Sequence, residues 1–307
     1  MIQIIKGNCL DTLKTLPEQS INTCITSPPY WGVRDYGEGE QLGLEDTPEE
    51  FVENLVKVFR EVKRVLRDDG TVWLNLGDSY SSGGRTTTTN QTLRGDKDYG
   101  VTRPKPSKGI KPKDLIGIPW RVAFALQADG WYLRQDIIWH KPNPMPESVK
   151  DRCTKAHEYI FLLSKNAKYY FDNESIKEDA KFPDGPDSAD KIRKGVGKYG
   201  MDTRSGLHKI GANPKRNKRS VWTVTTKPFK GAHFATFPPD LIEPCVLAGC
   251  PVGGTVLDPF GGAGTTGMVA DRAGRNAILI ELNDEYADMA KKRIYDDAPL
   301  FADVTDD

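Results

Sequence analysis

Apolar and polar positions along the chain form blocks that predict strands joined by helices. Short apolar runs at residues 2–5, 21–26 and 71–76 predict three strands. Before the third strand, Thr47 and Glu50 form a capping-box pattern at the start of a predicted helix. Apolar residues then recur at three- and four-residue intervals, which predicts one buried helix face: Phe51, Leu55, Val58, Phe59, Val62, Val65 and Leu66. Strand, helix and strand in this order predict parallel pairing in an α/β sheet.

The later part of the chain resumes this pattern after a long polar interruption. A helix at about 115–128 and a strand at 131–139 are predicted first, and residues 158–163 with 168–171 predict a hairpin. The last quarter of the chain is again regular. It predicts helices that end near residues 249, 274 and 295, with strands at 255–258 and 276–282.

Charge is balanced over the whole chain but not along it. The 307 residues carry 43 basic and 43 acidic side chains. Residues 81–113 hold eight Lys or Arg against two Asp, and residues 191–219 hold ten against Asp202 alone. Either segment could be a solvated surface, but two of them in a neutral protein favour contacts with a polyanion. Lysine and arginine gain affinity there because they release counterions from phosphates.

Cysteine and histidine positions indicate neither a disulfide framework nor a metal site. The five cysteines lack paired short spacings, and the four histidines show no metal-ligand spacing. No apolar stretch approaches the ~20 residues that a transmembrane helix needs. We therefore expect a soluble cytoplasmic protein without a metal.

A glycine-rich loop lies between a predicted strand and a predicted helix near the C-terminus. Gly262, Gly264 and Gly267 match the dinucleotide-binding spacing, and Glu281 follows at the distance of a ribose-binding acid. Tight packing of a strand on a helix would explain the glycines equally. Asp258 precedes them, where an acid would repel a pyrophosphate but would suit a cationic ligand. S-adenosylmethionine has both a ribose and an ammonium group.

A second candidate site follows the strand at 21–26. In Ser27-Pro28-Pro29-Tyr30 the prolines stiffen the turn and remove two backbone donors. Hydroxyl and carbonyl acceptors beside an aromatic ring suit a flat ring with an amino group, such as a nucleobase. A rigid turn without a catalytic role is the alternative.

The two motifs together, in this order, resemble the β-class amino-DNA methyltransferases. The motifs are Thr26-Ser27-Pro28-Pro29-Tyr30-Trp31 and Asp258-Pro259-Phe260-Gly261-Gly262-Ala263-Gly264-Thr265-Thr266. The resemblance implies a permuted Rossmann-like α/β fold with a mostly parallel central sheet, helices on both faces and an inserted target-recognition region. The expected segments are a catalytic half (1–80), a flexible basic insertion (81–113), a core continuation (114–140), a target-recognition region (141–235) that includes the basic loop 191–219, and a cofactor half (236–307).

The resemblance also assigns residues to roles. Expected catalytic residues are Ser27, Pro28, Pro29 and Tyr30. Expected contacts to S-adenosylmethionine are Asn8, Cys9, Phe237, Asp258, Pro259, Phe260, Gly262, Gly264, Thr265, Thr266 and Glu281. Expected DNA contacts are Trp31, Lys191, Arg193, Lys194, Lys215, Arg216, Lys218 and Arg219. The family more often has Gly-Asp at the adenine edge, where this chain has Gly7-Asn8.

The implied reaction is methyl transfer from S-adenosylmethionine to the exocyclic amine of a flipped base in duplex DNA. Serine before Pro-Pro-Tyr favours N4 of cytosine, with N6 of adenine as the alternative. Methylation at carbon 5 would need a cysteine nucleophile, and Cys245 lies within a predicted helix, where we expect it in the core. A nicotinamide oxidoreductase and a DNA-binding protein with an inactive cofactor site are more distant alternatives. A cognate restriction endonuclease and a homodimer are expectations from the family alone.

Overall fold

Strands from both ends of the chain lie side by side in one sheet. The structure is a computed structural model that describes residues 1–33, 37, 39, 41–81, 110–180, 214–226, 237–297 and 304–306. Two compact units are present: Met1–Phe171 with Ser220–Asp307, and Asp172–Arg219. In the first unit the described strands are β1 (Ile2–Lys6), β2 (Ile21–Thr26), β3 (Leu66–Leu76), β4 (Tyr132–His140), β5 (His157–Ser164), β8 (Val221–Thr223), β9 (Thr255–Asp258), β10 (Asn276–Glu281) and β11 (Val304–Asp306).

Helices join most of these strands. The described helices are α1 (Cys9–Thr15), α2 (Pro48–Val65), α3 (Ile118–Ala128), α4 (Pro239–Gly249), α5 (Thr265–Arg272) and α6 (Asp284–Asp297). The capping box of α2 is present, with Glu50 N donating to Thr47 Oγ1 and Thr47 N donating to Glu50 Oε2. The face predicted for α2 is buried throughout. None of the described helices is long and apolar enough to cross a membrane.

The sheet order is permuted with respect to the sequence. Among the described residues the order is β11-β1-β10-β9-β2-β3-β5-β4-β8. The late strands β9 and β10 therefore lie between the early strands β1 and β2, and all these neighbours pair in parallel. Antiparallel pairing is confined to β5 with β3 and β4 among the described strands of this sheet. The predicted permuted, mostly parallel α/β fold is confirmed.

The predicted hairpin between residues 158–163 and 168–171 is wrong. β5 instead pairs with β3 on one side and β4 on the other, so its apolar run is central to the sheet. The segment after β5 leaves the sheet, and Tyr170 N donates to Asp69 O at 2.9 Å. β5 therefore belongs to the core sheet, although it lies within the segment 141–235, whose role in target recognition stays a prediction.

The second compact unit is a smaller part of that predicted region. Its described strands, β6 (Glu178–Asp179) and β7 (Lys215–Arg216), form an antiparallel pair. Residues 82–109, most of the predicted basic insertion, lie outside the described residues. So do Lys191, Arg193 and Lys194 of the predicted DNA contacts.

Candidate functional site

A cavity of about 1220 Å³ follows the sheet edge where the parallel strands end. Its wall begins beside β1 and β10, passes the ends of β9, β2 and β3, and reaches the start of β5. Ligands of open parallel sheets bind at this edge, outside the carboxyl ends of the strands. The cavity contains both predicted motifs, 231 positions apart between Ser27 and Asp258, in one continuous space.

Glu281 ties the glycine-rich loop to the end of β10. Its Oε2 accepts a hydrogen bond from Gly262 N at 2.7 Å, and its Oε1 accepts one from Asn283 N at 2.9 Å. Burial raises the pKa of the Glu281 carboxyl. Each carboxylate oxygen retains a lone pair after these bonds. Two acceptors at the cavity wall therefore remain for a vicinal diol, which fits the ribose of S-adenosylmethionine.

Asp258 joins the two motifs rather than facing the cavity freely. Its Oδ1 accepts from Thr26 Oγ1 at 2.6 Å and from Phe260 N at 3.1 Å, and its Oδ2 accepts from Thr266 Oγ1 at 2.6 Å. The residue is only 1% exposed. Burial raises the pKa of Asp258 to about 6, against the lowering effect of these three donors. The carboxylate thus links the end of β2 to the cofactor loop.

Some of the remaining residues of the glycine-rich loop line the cavity, and others lie behind its wall. Pro259, Phe260, Gly262 and Thr265 line the cavity, as does Phe237 from before α4. Gly264 does not, because it adopts φ 74° against α6, where a Cβ would approach Ala290 Cβ to 2.8 Å. Thr266 is fully buried on Asp258. In this structure Gly264 packs on α6 and Thr266 positions Asp258, and the ligand contacts expected of both residues stay predictions.

Asn8 and Cys9 line the cavity beside β1. Asn8 Oδ1 accepts from Leu10 N at 2.9 Å and Asp11 N at 3.4 Å, so this oxygen caps α1. Burial raises the pKa of the Cys9 thiol to about 12, which keeps it neutral. Asn8 thus caps α1 at the place where the adenine of the ligand is expected.

The Ser27–Tyr30 turn forms the next part of the wall. Ser27, Pro28, Pro29 and Tyr30 all line the cavity. Within the part of the chain that the structure describes, Ser27 Oγ makes no hydrogen bond. Tyr30 is held at its hydroxyl, which donates to Glu158 Oε2 at 2.8 Å. The turn offers a hydroxyl and a fixed aromatic ring to whatever enters the cavity.

The family model for DNA methylases matches residues 21–292 of this chain. The chain belongs to the DNA methylase family. It is 50% identical over 295 residues to Type II methyltransferase M.SmaI from Serratia marcescens, covering 95% of this chain and 90% of that protein. It is 32% identical over 383 residues to Type II methyltransferase M.SfiI from Streptomyces fimbriatus, covering 91% and 88% respectively.

Solved methyltransferase structures share the fold. The putative DNA modification methylase TTHA0409 from Thermus thermophilus, complexed with S-adenosyl-L-methionine, superposes with a TM-score of 0.64 at 23% identity, covering 100% of this chain and 98% of that one. The cytosine-N4-specific PvuII DNA methyltransferase also gives 0.64, at 19% identity and coverages of 100% and 94%. The predicted fold and amino-DNA methyltransferase class are confirmed, with S-adenosylmethionine as cofactor. The oxidoreductase alternative is wrong.

Two aromatic or thiol side chains of this DNA methylase, those of Trp31 and Cys245, lie in the core. Trp31 is only 3% exposed, and its Nε1 donates to Glu45 O at 2.9 Å. The expectation that Trp31 contacts DNA is therefore corrected: its ring is part of the core. Cys245 is fully buried within α4, which confirms it as a core residue and removes the candidate nucleophile for carbon-5 chemistry.

Basic residues near β7 are already paired with acids of the second unit. Lys215 Nζ lies 2.7 Å from Asp179 Oδ1. Arg216 Nε and Arg219 Nε lie 2.9 and 2.6 Å from Glu178 Oε1. These exposed pairs reduce the positive charge that the sequence count of residues 191–219 suggests. The DNA contacts expected of these residues and of Lys218 remain predictions.

Sequence reasoning missed a polar cluster at the far end of the methyltransferase cavity. Asn75, Lys141 and Glu158 line the wall next to Tyr30 but belong to neither motif. Their only sequence signal is position, because each lies near the end of a core strand on the cavity edge. Asp78, two residues after β3, accepts from Gly117 N and Ile118 N at the start of α3.

Proposed function

We propose that this methyltransferase modifies N4 of cytosine in duplex DNA. Ser27 carries the proposal, because a neutral hydroxyl without a partner among the described residues lies in the wall beside the Tyr30 ring. Serine at this position is the pattern that the family's N4-cytosine members show more often. N6 of adenine, which the aspartate-bearing members favour, is the second candidate.

The proposed mechanism depends on geometry rather than on a tuned general base. An exocyclic amine is a poor nucleophile because its lone pair is delocalised into the ring. Ser27 Oγ and the Pro28 carbonyl would accept its two hydrogens, which aims the lone pair at the incoming methyl. S-adenosylmethionine supplies that methyl on a sulfonium when bound. The nitrogen–carbon bond forms as the carbon–sulfur bond breaks, and the amine proton leaves afterwards to solvent.

The base must leave the duplex to reach this turn. Extrusion costs a few kcal/mol, and stacking on an aromatic ring recovers ~1–3 kcal/mol per base. Tyr30 would supply that ring. Most of the rate is then expected from orientation in a water-poor site. Asp258 is unsuited as the base, since both of its oxygens are engaged by Thr26, Phe260 and Thr266.

The proposed cofactor contacts occupy the other half of the cavity. Glu281 would bind the ribose hydroxyls, and Phe237 with Phe260 would supply apolar surface. Asn8 and Cys9 would flank the adenine. The chemistry of this donor set suits an uncharged nucleoside moiety, because the wall holds carboxylate acceptors and apolar surface at the ribose position.

The proposal also covers target recognition and the protein partners of this methyltransferase. Target recognition would fall to the second unit, Asp172–Arg219, together with the basic insertion. The Type II names of the relatives make a cognate restriction endonuclease a reasonable partner for this protein. A homodimer remains an expectation from the family.

The deciding experiment identifies the modified nucleoside. Duplex DNA is incubated with the protein and S-adenosylmethionine, digested to nucleosides and analysed by mass spectrometry. N4-methylcytosine is expected. N6-methyladenine as the only product would replace the first candidate by the second, and incorporation into RNA but not DNA would contradict the duplex-DNA substrate. Mapping the modified positions on the same DNA gives the recognition site.

A further inference from the structure

The Tyr30 ring lies in a slot made by the backbone at the end of β3. A Cβ added to Gly77 would lie 2.5 Å from Tyr30 Cε2, closer than real Cβ contacts allow. Glycine at position 77 therefore leaves the space that the Tyr30 ring occupies beside the strand end. This contact limits the ring on the side of Gly77 alone.

Glu158 fixes the other end of the ring. Its Oε2 accepts from Tyr30 Oη at 2.8 Å and from Asn75 Nδ2 at 3.3 Å. Asn75 is itself held, since its Nδ2 also donates to Tyr159 O at 3.0 Å. The Tyr30 hydroxyl thus makes its shorter bond to a carboxylate on β5, a strand that neither motif includes, with Asn75 Oδ1 as a longer contact at 3.4 Å.

Lys141 completes this cluster from the end of β4. Its ammonium donates to Glu158 Oε1, the oxygen that Tyr30 does not use. The same Nζ lies 4.1 Å from the centroid of the Trp139 ring, a cation–π contact. The side chains of Lys141 and Glu158 are 17% and 16% exposed, so solvent screens the pair weakly. The carboxylate is therefore held in a single orientation from both sides.

We propose that Glu158, held by Lys141, is a positioning residue that sets the angle of the Tyr30 ring on which the target base stacks. The inference rests on the proposed function of Tyr30 as the stacking ring. A charged acceptor gives a stronger and more directional bond to a phenol than a neutral one. A ring free to rotate in its slot would hold the base amine out of line with the methyl group, and misalignment of this kind lowers rate more than binding.

The location of Glu158 separates this role from cofactor binding. Four strand spacings lie between β10, which ends at Glu281, and β5. At about 4.8 Å each this amounts to roughly 19 Å along the sheet edge. Loss of Glu158 should therefore leave the KM for S-adenosylmethionine unchanged while it lowers the rate of methyl transfer.

A double-mutant cycle on single-turnover methyl transfer tests the proposal, with a duplex carrying the mapped recognition site. Tyr30→Phe keeps the ring and loses the hydroxyl, and Glu158→Gln keeps the shape and loses the charge. Each is expected to lower the rate about tenfold, the usual effect of losing a hydrogen bond to a charged group. The double variant should be within about twofold of either single variant, because both remove the same bond. Glu53→Gln, an exposed position on α2, is the matched control.

Two results would overturn the proposal. One is a Glu158→Gln rate within about twofold of wild type; the other is a double variant whose loss is the product of the two single losses. If Glu158→Gln fails to fold, Lys141→Gln replaces it, with a loss expected in wild type but not in the Tyr30→Phe background. An unchanged KM for S-adenosylmethionine distinguishes positioning from general damage to the site. A wild-type protein that methylates no DNA would contradict the proposed function instead.

Discussion

The glycine-rich loop and the Ser27–Tyr30 turn face the same cavity but use their polar groups differently. In the loop, both oxygens of Asp258 and both oxygens of Glu281 already accept hydrogen bonds from the protein. In the turn, Ser27 Oγ has no partner within the described residues. The carboxylates of the loop are oriented by hydrogen bonds within the protein, whereas the Ser27 hydroxyl is not oriented in this way by any described residue.

This difference fits two kinds of ligand. A cofactor enters the same site at every turnover, so a rigid loop shaped by its own hydrogen bonds loses little entropy on binding. An extruded base is bound only after it leaves the duplex, and its amine needs hydrogen-bond acceptors that no protein donor already occupies. We therefore expect substitutions in the loop to change cofactor affinity and stability, and substitutions in the turn to change rate.

The largest expected effect is that of Ser27→Ala. Removing the acceptor for the target amine should lower kcat by roughly a hundredfold to a thousandfold, the range seen when a single transition-state hydrogen bond is removed. The affinity for S-adenosylhomocysteine and for DNA should stay within about twofold of wild type. Methyl incorporation and calorimetric binding measure the two quantities. Ser20→Ala, where the hydroxyl donates to Pro17 O on the surface, is the control and should retain full activity.

A pH-dependent stability difference is expected from Asp258. Its folded pKa of about 6 lies above its ordinary value of 3.8, so the folded state binds the proton more tightly than the unfolded state. Its contribution to stability is present below pH 4 and is lost as the pH rises through 6. Relative to Asp258→Asn, wild type should lose roughly 2.4 kcal/mol between pH 4 and pH 7, most of the full effect at about 1.4 kcal/mol per pKa unit.

Chemical denaturation of both proteins at each pH gives this difference, because contributions from all other groups cancel in the subtraction. Asp271→Asn, on the partly exposed side of α5, is the matched control for the loss of one carboxyl, and the Asp258 effect is the excess over this control. A wild-type protein that gains stability relative to Asp258→Asn as the pH rises would show that the three donors outweigh burial.

Glu281→Gln should weaken cofactor binding without changing the rate of methyl transfer. The amide offers one acceptor oxygen instead of two, so one backbone donor and one ribose hydroxyl lose their charged partner. Hydrogen bonds to charged groups are worth ~1.5–3 kcal/mol, and we expect about a thirtyfold increase in Kd for S-adenosylhomocysteine. At saturating S-adenosylmethionine kcat should equal that of wild type. Glu285→Gln, at the exposed start of α6, serves as the control.

Local features of this site were predictable from sequence because their causes are local. The α2 helix shows its cap at Thr47 and Glu50 and its buried face by spacing alone. The permuted order of the sheet followed from the resemblance carried by the two motifs, and β1 and β2 pair with β10 and β9 accordingly. The two motifs were recognisable because each occupies one short stretch at a strand end.

Contacts between distant positions were not predictable. Glu158 lies 128 positions from Tyr30, and Thr26 lies 232 positions from Asp258. The prediction that Trp31 contacts DNA was wrong for the same reason, because the sequence does not show whether an aromatic residue beside the Ser27–Tyr30 turn faces the cavity or the core. The predicted hairpin at residues 158–163 and 168–171 was wrong because the apolar pattern of β5 predicts a strand but not the strands with which it pairs.

Thr26→Val is expected to have the smallest effect and tests the link between the two halves directly. Valine keeps the shape of the fully buried side chain but removes the 2.6 Å hydrogen bond to Asp258 Oδ1, which leaves that oxygen with the Phe260 amide alone. The protein should lose about 1 kcal/mol of unfolding free energy, the net worth of one intramolecular hydrogen bond. Thr26→Ser should restore most of the lost unfolding free energy, since serine keeps the donor.

If the loop and the turn are linked through this bond, Thr26→Val also lowers both cofactor affinity and kcat by about twofold to threefold. Ser27→Ala and Glu281→Gln differ from it, because each changes only one of the two. A variant that loses stability with both parameters unchanged would show that the bond holds the fold together without coupling the two halves of the site.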